Sequence, residues 1–97
     1  MDELVYYNEL YDLYGVLLTD KQRDYFEDYY FHNLSYSEMA DNYKVSRNAM
    51  FKQIHNVLEK LDEYEEKLHL REKKNMLLNV VNKISDDRLK KEIESIF

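Results

Sequence analysis

Two serines, Ser35 and Ser46, each stand where a helix can begin, and the residues between them leave room for only one short helix and a tight turn. In the stretch LSYSEMADNYKVSRNAMFKQIHNVLEKL, the Ser35 hydroxyl can accept from an amide left unpaired in the first helical turn. Glu38 sits three residues later and can reach back to the Ser35 amide, completing a capping box. Leu34 and Met39 are spaced as a hydrophobic staple across the same start. Tyr43, Lys44 and Val45 then interrupt, Ser46 caps a second helix, and Val45 with Met50 repeats the staple. Two helices joined by a turn of about three or four residues can set the second helix in the major groove of DNA. The spacing predicts this helix-turn-helix over about residues 35–61 and a C-terminal helical extension over about 62–97.

The rest of the chain offers little chemistry for anything but helices. Gly15 is the only glycine and proline is absent, so hairpins and sharp turns lack their usual residues. A single all-α domain spanning residues 1–97 is expected. Without cysteine there are no disulfides, thiolate metal sites or cysteine nucleophiles. Charges recur every few residues, and no apolar run reaches the length of a membrane span or a signal-peptide core. A soluble cytoplasmic protein with no membrane contact is expected.

Charge is unevenly distributed. Of the net −6, residues 1–34 alone hold eight acids against Lys21 and Arg23. Residues 44–60 hold Lys44, Arg47, Lys52 and Lys60 against Glu59, so the only basic stretch is the second helix of the motif. Nucleic-acid affinity comes largely from neutralised phosphates, so an otherwise acidic protein should bind weakly as a monomer.

A first helix is predicted from about Glu3 to Tyr14, ending at Gly15 as a left-handed cap. Its apolar positions form two adjoining stripes, Leu4–Tyr7–Tyr11–Tyr14 and Tyr6–Leu10–Leu13–Leu17. Thr19 and Gln22 form a capping box for the next helix, which buries Tyr25, Phe26, Tyr29 and Tyr30 and ends before Asn33. Ten tyrosines could be stacking platforms for bases, but their helical spacing favours packing with hydroxyls at the rim. After Ser46 no breaker appears before about Asn82, and a bend is expected in the charged stretch between Leu70 and Asn75. Ser85, Asp86 and Asp87 open a last short helix with Leu89, Ile93, Ile96 and Phe97 on one face. The C-terminal apolar stripes need cover, either from the N-terminal helices or from a second copy; a homodimer is expected.

Catalysis has little to rest on. Asp62, Glu63, Glu65 and Glu66 crowd together, but neighbouring helical residues point different ways, so a solvated face is expected. His32, His55 and His69 lack metal-ligand spacing, and one glycine cannot build a phosphate loop. No enzyme activity, metal or cofactor is expected.

If Ala49, Met50, Ile54, Val57 and Leu61 face the core, the outward set is Arg47, Asn48, Phe51, Lys52, His55 and Asn56. Arg47 and Asn48 sit at the end that enters the groove, where arginine pairs with guanine and asparagine with adenine. Lys52 and His55 could hold phosphates. Phe51 would touch a thymine methyl, stack on an unpaired base, or pack against protein.

The run SYSEMADNYKVSRNAMFKQIHNVLEKL resembles region four of bacterial sigma factors, with its SxxEIA, turn and SRxxV pattern, over about a quarter of the chain. Lys44 stands where such motifs usually carry a left-handed glycine, at a cost of roughly 1 kcal/mol, and Met50 replaces a branched aliphatic. Over the full length, LTDKQRDYFEDYYFHNLSYSEMAD and VSRNAMFKQIHNVLEKLDEYEEKLHL resemble the YlxM family of small, acidic, all-helical bacterial proteins. That resemblance implies a non-enzymatic cytoplasmic protein acting in or regulating the signal recognition particle pathway. Its partner would be the particle's RNA or GTPase, with duplex DNA as the alternative for a dimeric transcription regulator.

Overall fold

The protein is described here by a computed structural model over residues 2–96, which form six α-helices, with no strand among the described residues. These are α1 (Glu3–Tyr14), α2 (Asp20–Tyr30), α3 (Tyr36–Tyr43), α4 (Arg47–Leu68), α5 (Leu70–Val81) and α6 (Asp87–Glu94). The all-α expectation holds, and α3 and α4 form the helix-turn-helix. Phe97 lies outside the described residues.

α4 is the axle. Its 22 residues span about 33 Å at 1.5 Å per residue, and α1, α2 and α3 all pack against it. The side it buries carries Met50, Ile54, Val57, Leu58 and Leu61. Each such side chain contributes roughly 1.5–3 kcal/mol on leaving water, which far exceeds any propensity term. Leu10 and Tyr14 of α1, Leu18 in the connection to α2, Tyr25 and Phe26 of α2, and Met39 and Ala40 of α3 complete the core. Of the expected inward set only Ala49 is less than fully buried. The helix runs unbroken from Arg47 to Leu68.

The helix starts are built as the sequence implies. Ser35 Oγ accepts from the Glu38 amide at 3.1 Å, and Glu38 Oε1 accepts from the Ser35 amide at 3.1 Å. Thr19 and Gln22 repeat the arrangement, and Ser46 Oγ accepts from the Ala49 amide at 3.0 Å. α3 stops because Lys44 turns left-handed, with φ 57° and ψ 45°. The Val45 amide then reaches back to the Ala40 carbonyl at 3.0 Å, and the Lys44 amide to that of Asp41 at 3.4 Å. This is a Schellman closure with a lysine where glycine is usual.

Gly15 does something other than expected. It is right-handed, at φ −54°, and continues from α1 into a 3-10 turn over Gly15–Leu17. A Cβ there would stand 3.1 Å from Cε1 of Tyr11, so close approach of a ring, not a positive φ, selects the glycine. Between α2 and α3 the left-handed residue is Asn33, at φ 60°, where asparagine is tolerated.

The bend after α4 falls at His69, not between Leu70 and Asn75. His69 is left-handed at φ 55°, and its side chain does not cap α5. Capping comes from elsewhere. Tyr14 Oη accepts from the Leu70 amide at 3.0 Å, while Glu65 Oε1 accepts from the Arg71 amide at 2.9 Å and Oε2 from that of Glu72 at 3.2 Å. Tyr14 Oη also donates to Glu65 Oε1 at 2.6 Å. Asp62 likewise turns inward, accepting from Tyr7 Oη at 2.9 Å. The carboxylate run is therefore not one solvated face: Asp62 and Glu65 are anchors, while Glu63 and Glu66 are exposed. Arg71 secures the joint from above, with Nε 2.5 Å from Glu9 Oε2 and the guanidinium 5.0 Å over the Tyr6 ring. α5 thus folds back on α1, and α6 packs on α5, leaving Met76, Val80, Leu89 and Ile96 exposed.

Lys44→Gly should raise stability by about 1 kcal/mol, read as a higher urea midpoint with unchanged helix content. Burial alone would raise the Glu65 carboxyl, but the Tyr14 hydroxyl and the Arg71 and Glu72 amides outweigh it and hold it below the ordinary 4.5. A depressed folded value stabilises the protein above pH 4.5 and is lost as pH falls through it. Glu65→Ala should therefore cost roughly 1–3 kcal/mol at neutral pH, flatten the acid limb of the stability curve, and speed hydrogen exchange in the first turn of α5.

Candidate nucleic-acid interface

The outward side of α4 carries Arg47, Asn48, Phe51, Lys52, His55 and Asn56, all exposed. Helical spacing sorts them into two rows, Arg47–Phe51–His55 and Asn48–Lys52–Asn56, because residues four apart stand one above the other. The rows differ in how they are held.

The first row is stiffened by aromatic contacts. Tyr36, the first residue of α3, meets Phe51 edge to face at 5.5 Å and 80°, and the Arg47 guanidinium stands 6.0 Å from the Tyr36 ring centroid. Phe51 leans on the His55 ring at 4.1 Å. Behind Tyr36, Tyr29 of α2 stacks at 4.9 Å and 3°. Phe51 is thus both packed and available: 46% of its surface stays open. The second row is uncommitted. The side chains of Asn48, Lys52 and Asn56 make no hydrogen bond or ion pair among the described residues.

Tyr36 and Tyr29 escape a sequence reading that places tyrosines in the core by periodicity alone. The available signal was position: Tyr36 follows the Ser35 cap, so it lies at the mouth of the motif and not along its seam. Glu38 and Asp41 are exposed on α3, so the basic helix has acidic neighbours.

Elsewhere, among the described residues, no group of three or more His, Asp or Glu stands together as a metal site, and no helix is long and apolar enough to cross a membrane. A cavity of about 130 Å³ between α1 and α5 is lined by Glu9, Asp12, Arg71 and Lys74 with Leu13, Asn75 and Leu78, and the Glu9–Arg71 pair occupies its polar side. An open groove of about 420 Å³ lies between Leu4, Tyr29, Tyr30, Asn33, Leu34 and Ser35.

A core rod closed off by a left-handed turn, with a polar face projected from its first turns, defines a helix-turn-helix protein of the all-α class. More narrowly, residues 1–96 match the UPF0122 family, described as "Putative helix-turn-helix protein, YlxM / p13 like", and the chain belongs to that family. A UPF0122 protein of Mycoplasma capricolum is 40% identical over 82 residues, covering 84% of this chain and 73% of the relative. One from Shouchella clausii is 47% identical over 73 residues, covering 75% and 67%. One from Thermoanaerobacter sp. is 37% identical over 95 residues, covering 98% and 77%.

The tyrosines that brace this architecture resist ionisation. Burial first, then hydrogen bonds to Glu27 and Glu65, pushes Tyr11 and Tyr14 up to about 12, and burial with the Glu3 charge does the same for Tyr30. Tyr7, Tyr36 and Tyr43 are raised as well, by burial and then by hydrogen bonds to Asp62, Tyr29 and Asp28. A raised folded value stabilises the protein fully below the ordinary 10.0 and is lost as pH rises toward about 12. Alkaline titration should show most tyrosinate absorbance appearing together with loss of helical circular dichroism in that window. Tyrosines that all ionise near the ordinary value, with helices intact, would contradict these contacts.

Proposed function

We propose that this protein is a non-enzymatic accessory component of the signal recognition particle pathway, working in the cytoplasm by gripping the particle's RNA with the outward face of α4. The pathway assignment is supported by the resemblance to YlxM proteins and by membership of their family. The choice of RNA is supported by one observation: a half-open, edge-braced Phe51 beside the uncommitted Asn48–Lys52–Asn56 row. A duplex reader needs donors and acceptors aimed at base edges, whereas unpaired bases need a stiff ring to stack on and polar groups alongside. A dimeric regulator of transcription is the second reading, supported by Arg47 and Asn48 lying exposed in the first turn of α4.

Titration against particle RNA, duplex DNA and the particle GTPase, each at several salt concentrations, separates these. Phe51→Ala should weaken RNA binding by roughly 1–3 kcal/mol, and Lys52→Ala should weaken it modestly and reduce the salt slope by about one. If duplex DNA binds more tightly and Arg47→Ala relaxes its sequence preference while Phe51→Ala does nothing, the second reading replaces the first. RNA binding indifferent to both Phe51→Ala and Lys52→Ala would place the contact elsewhere on the protein.

A further inference from the structure

A single residue, His69, keeps α4 and α5 from being one helix. It is left-handed at φ 55° and ψ 31°, a conformation disfavoured for any residue with a Cβ, and its imidazole does not cap α5. No residue from Leu58 to Asn79 is glycine, proline or β-branched. Leu68, Leu70, Arg71, Glu72 and Lys73 around the joint are all good helix formers. Local preference therefore favours a continuous helix, and the bend is imposed from outside.

What imposes it, beyond Glu65, is α1. The Tyr14 hydroxyl accepts from the Leu70 amide, Arg71 Nε stands 2.5 Å from Glu9 Oε2, and Leu13 and Leu78 line the cavity between the two helices. Straightening would leave no backbone amide unpaired. Leu70, Arg71 and Glu72 would each find a carbonyl four residues back, on Glu66, Lys67 and Leu68. It would, however, carry α5 away from its own α1. Leu78 would lie about 20 Å along the axis beyond Glu65 at 1.5 Å per residue, whereas the end of α1 is tied there by the Tyr14 hydroxyl, 2.6 Å from Glu65 Oε1. A second copy in the same state presents what each lacks: a vacated α1 and an α5 to fill it.

We propose that His69 is the hinge of an arm exchange between two copies of this chain. With His69 right-handed, α4 and α5 run as one rod from Arg47 to Val81, about 50 Å long at 1.5 Å per residue, and α5 of each copy docks on α1 of the other. The contacts seen within one chain define the exchanged interface: Arg71 again meets Glu9 and Tyr6, and Leu78 again faces Leu13, now between copies. Exchange of this kind needs no new complementary surface, and a short hinge held in an unfavourable conformation invites it. The outward residues from Arg47 to Asn56 lie in the other half of the rod, so the exchanged pair carries two such faces.

Hinge substitutions should move the oligomeric state in opposite directions. Glycine adopts the left-handed conformation freely and weakens a continuous helix, whereas alanine does the reverse. Sedimentation of the full chain at micromolar concentration, with no nucleic acid present, should give a monomer for His69→Gly. For His69→Ala the balance should shift several-fold toward dimer, with circular dichroism helical in both. Charge reversal in the His69→Ala background tests the exchanged contact. Glu9→Arg and Arg71→Glu each set like charges together, so each protein alone should dimerise several-fold less. Refolded together they should form a heterodimer, in which both pairs are again opposite in sign. A His69→Ala protein that stays monomeric, equal dimerisation of the two hinge variants, or a mixture that gains no heterodimer would overturn the proposal. Because these variants leave the α4 face unchanged and nucleic acid is absent, such a failure leaves the reading of that face to its own test.

Discussion

The burial of one side of α4 sets everything else. Met50, Ile54, Val57, Leu58 and Leu61 must face inward, and a helix has no freedom to rotate once five such side chains are committed. The opposite side is then outward by geometry alone, so Arg47, Asn48, Phe51, Lys52, His55 and Asn56 stand exposed whatever else the fold does. The left-handed turn at Lys44 supplies the other half of that constraint: it brings α3 against α4 and frees the first turn of α4 to meet another molecule.

Around the apolar seam runs a second kind of bonding, in which tyrosine hydroxyls donate to carboxylates across helix boundaries. Tyr7 to Asp62, Tyr11 to Glu27, Tyr14 to Glu65 and Tyr43 to Asp28 each tie two elements together. A phenol can bury its ring while its hydroxyl reaches a charge at the rim. That combination reconciles ten tyrosines and a strongly acidic composition with a small core. These four carboxylates are therefore structural anchors and not part of a repellent surface.

The helix-turn-helix was legible because its signals are local: a serine cap, a glutamate three residues on, and a staple on either side all lie within one turn. The inward and outward faces of α4 were legible for the same reason, through periodicity. What escaped depends on residues distant in sequence. Glu65 reads as one more surface acid until Tyr14 and the start of α5 are in place, and the bend at His69 is hidden because no glycine or proline marks it. Gly15 looked like a left-handed cap because its true reason, the Tyr11 ring, involves packing that spacing does not encode. Tyr36 and Tyr29 were invisible as part of the α4 face because their role lies in ring contacts across helices.

The joint at His69 decides where α5 finds its start. The amides opening α5 are received by Tyr14 of α1 and Glu65 of α4, and the His69 side chain does not cap them, so this arm does not close its own first turn. Both acceptors lie on the near side of the joint. The arm therefore takes its direction from α1 and α4 and not from a signal of its own.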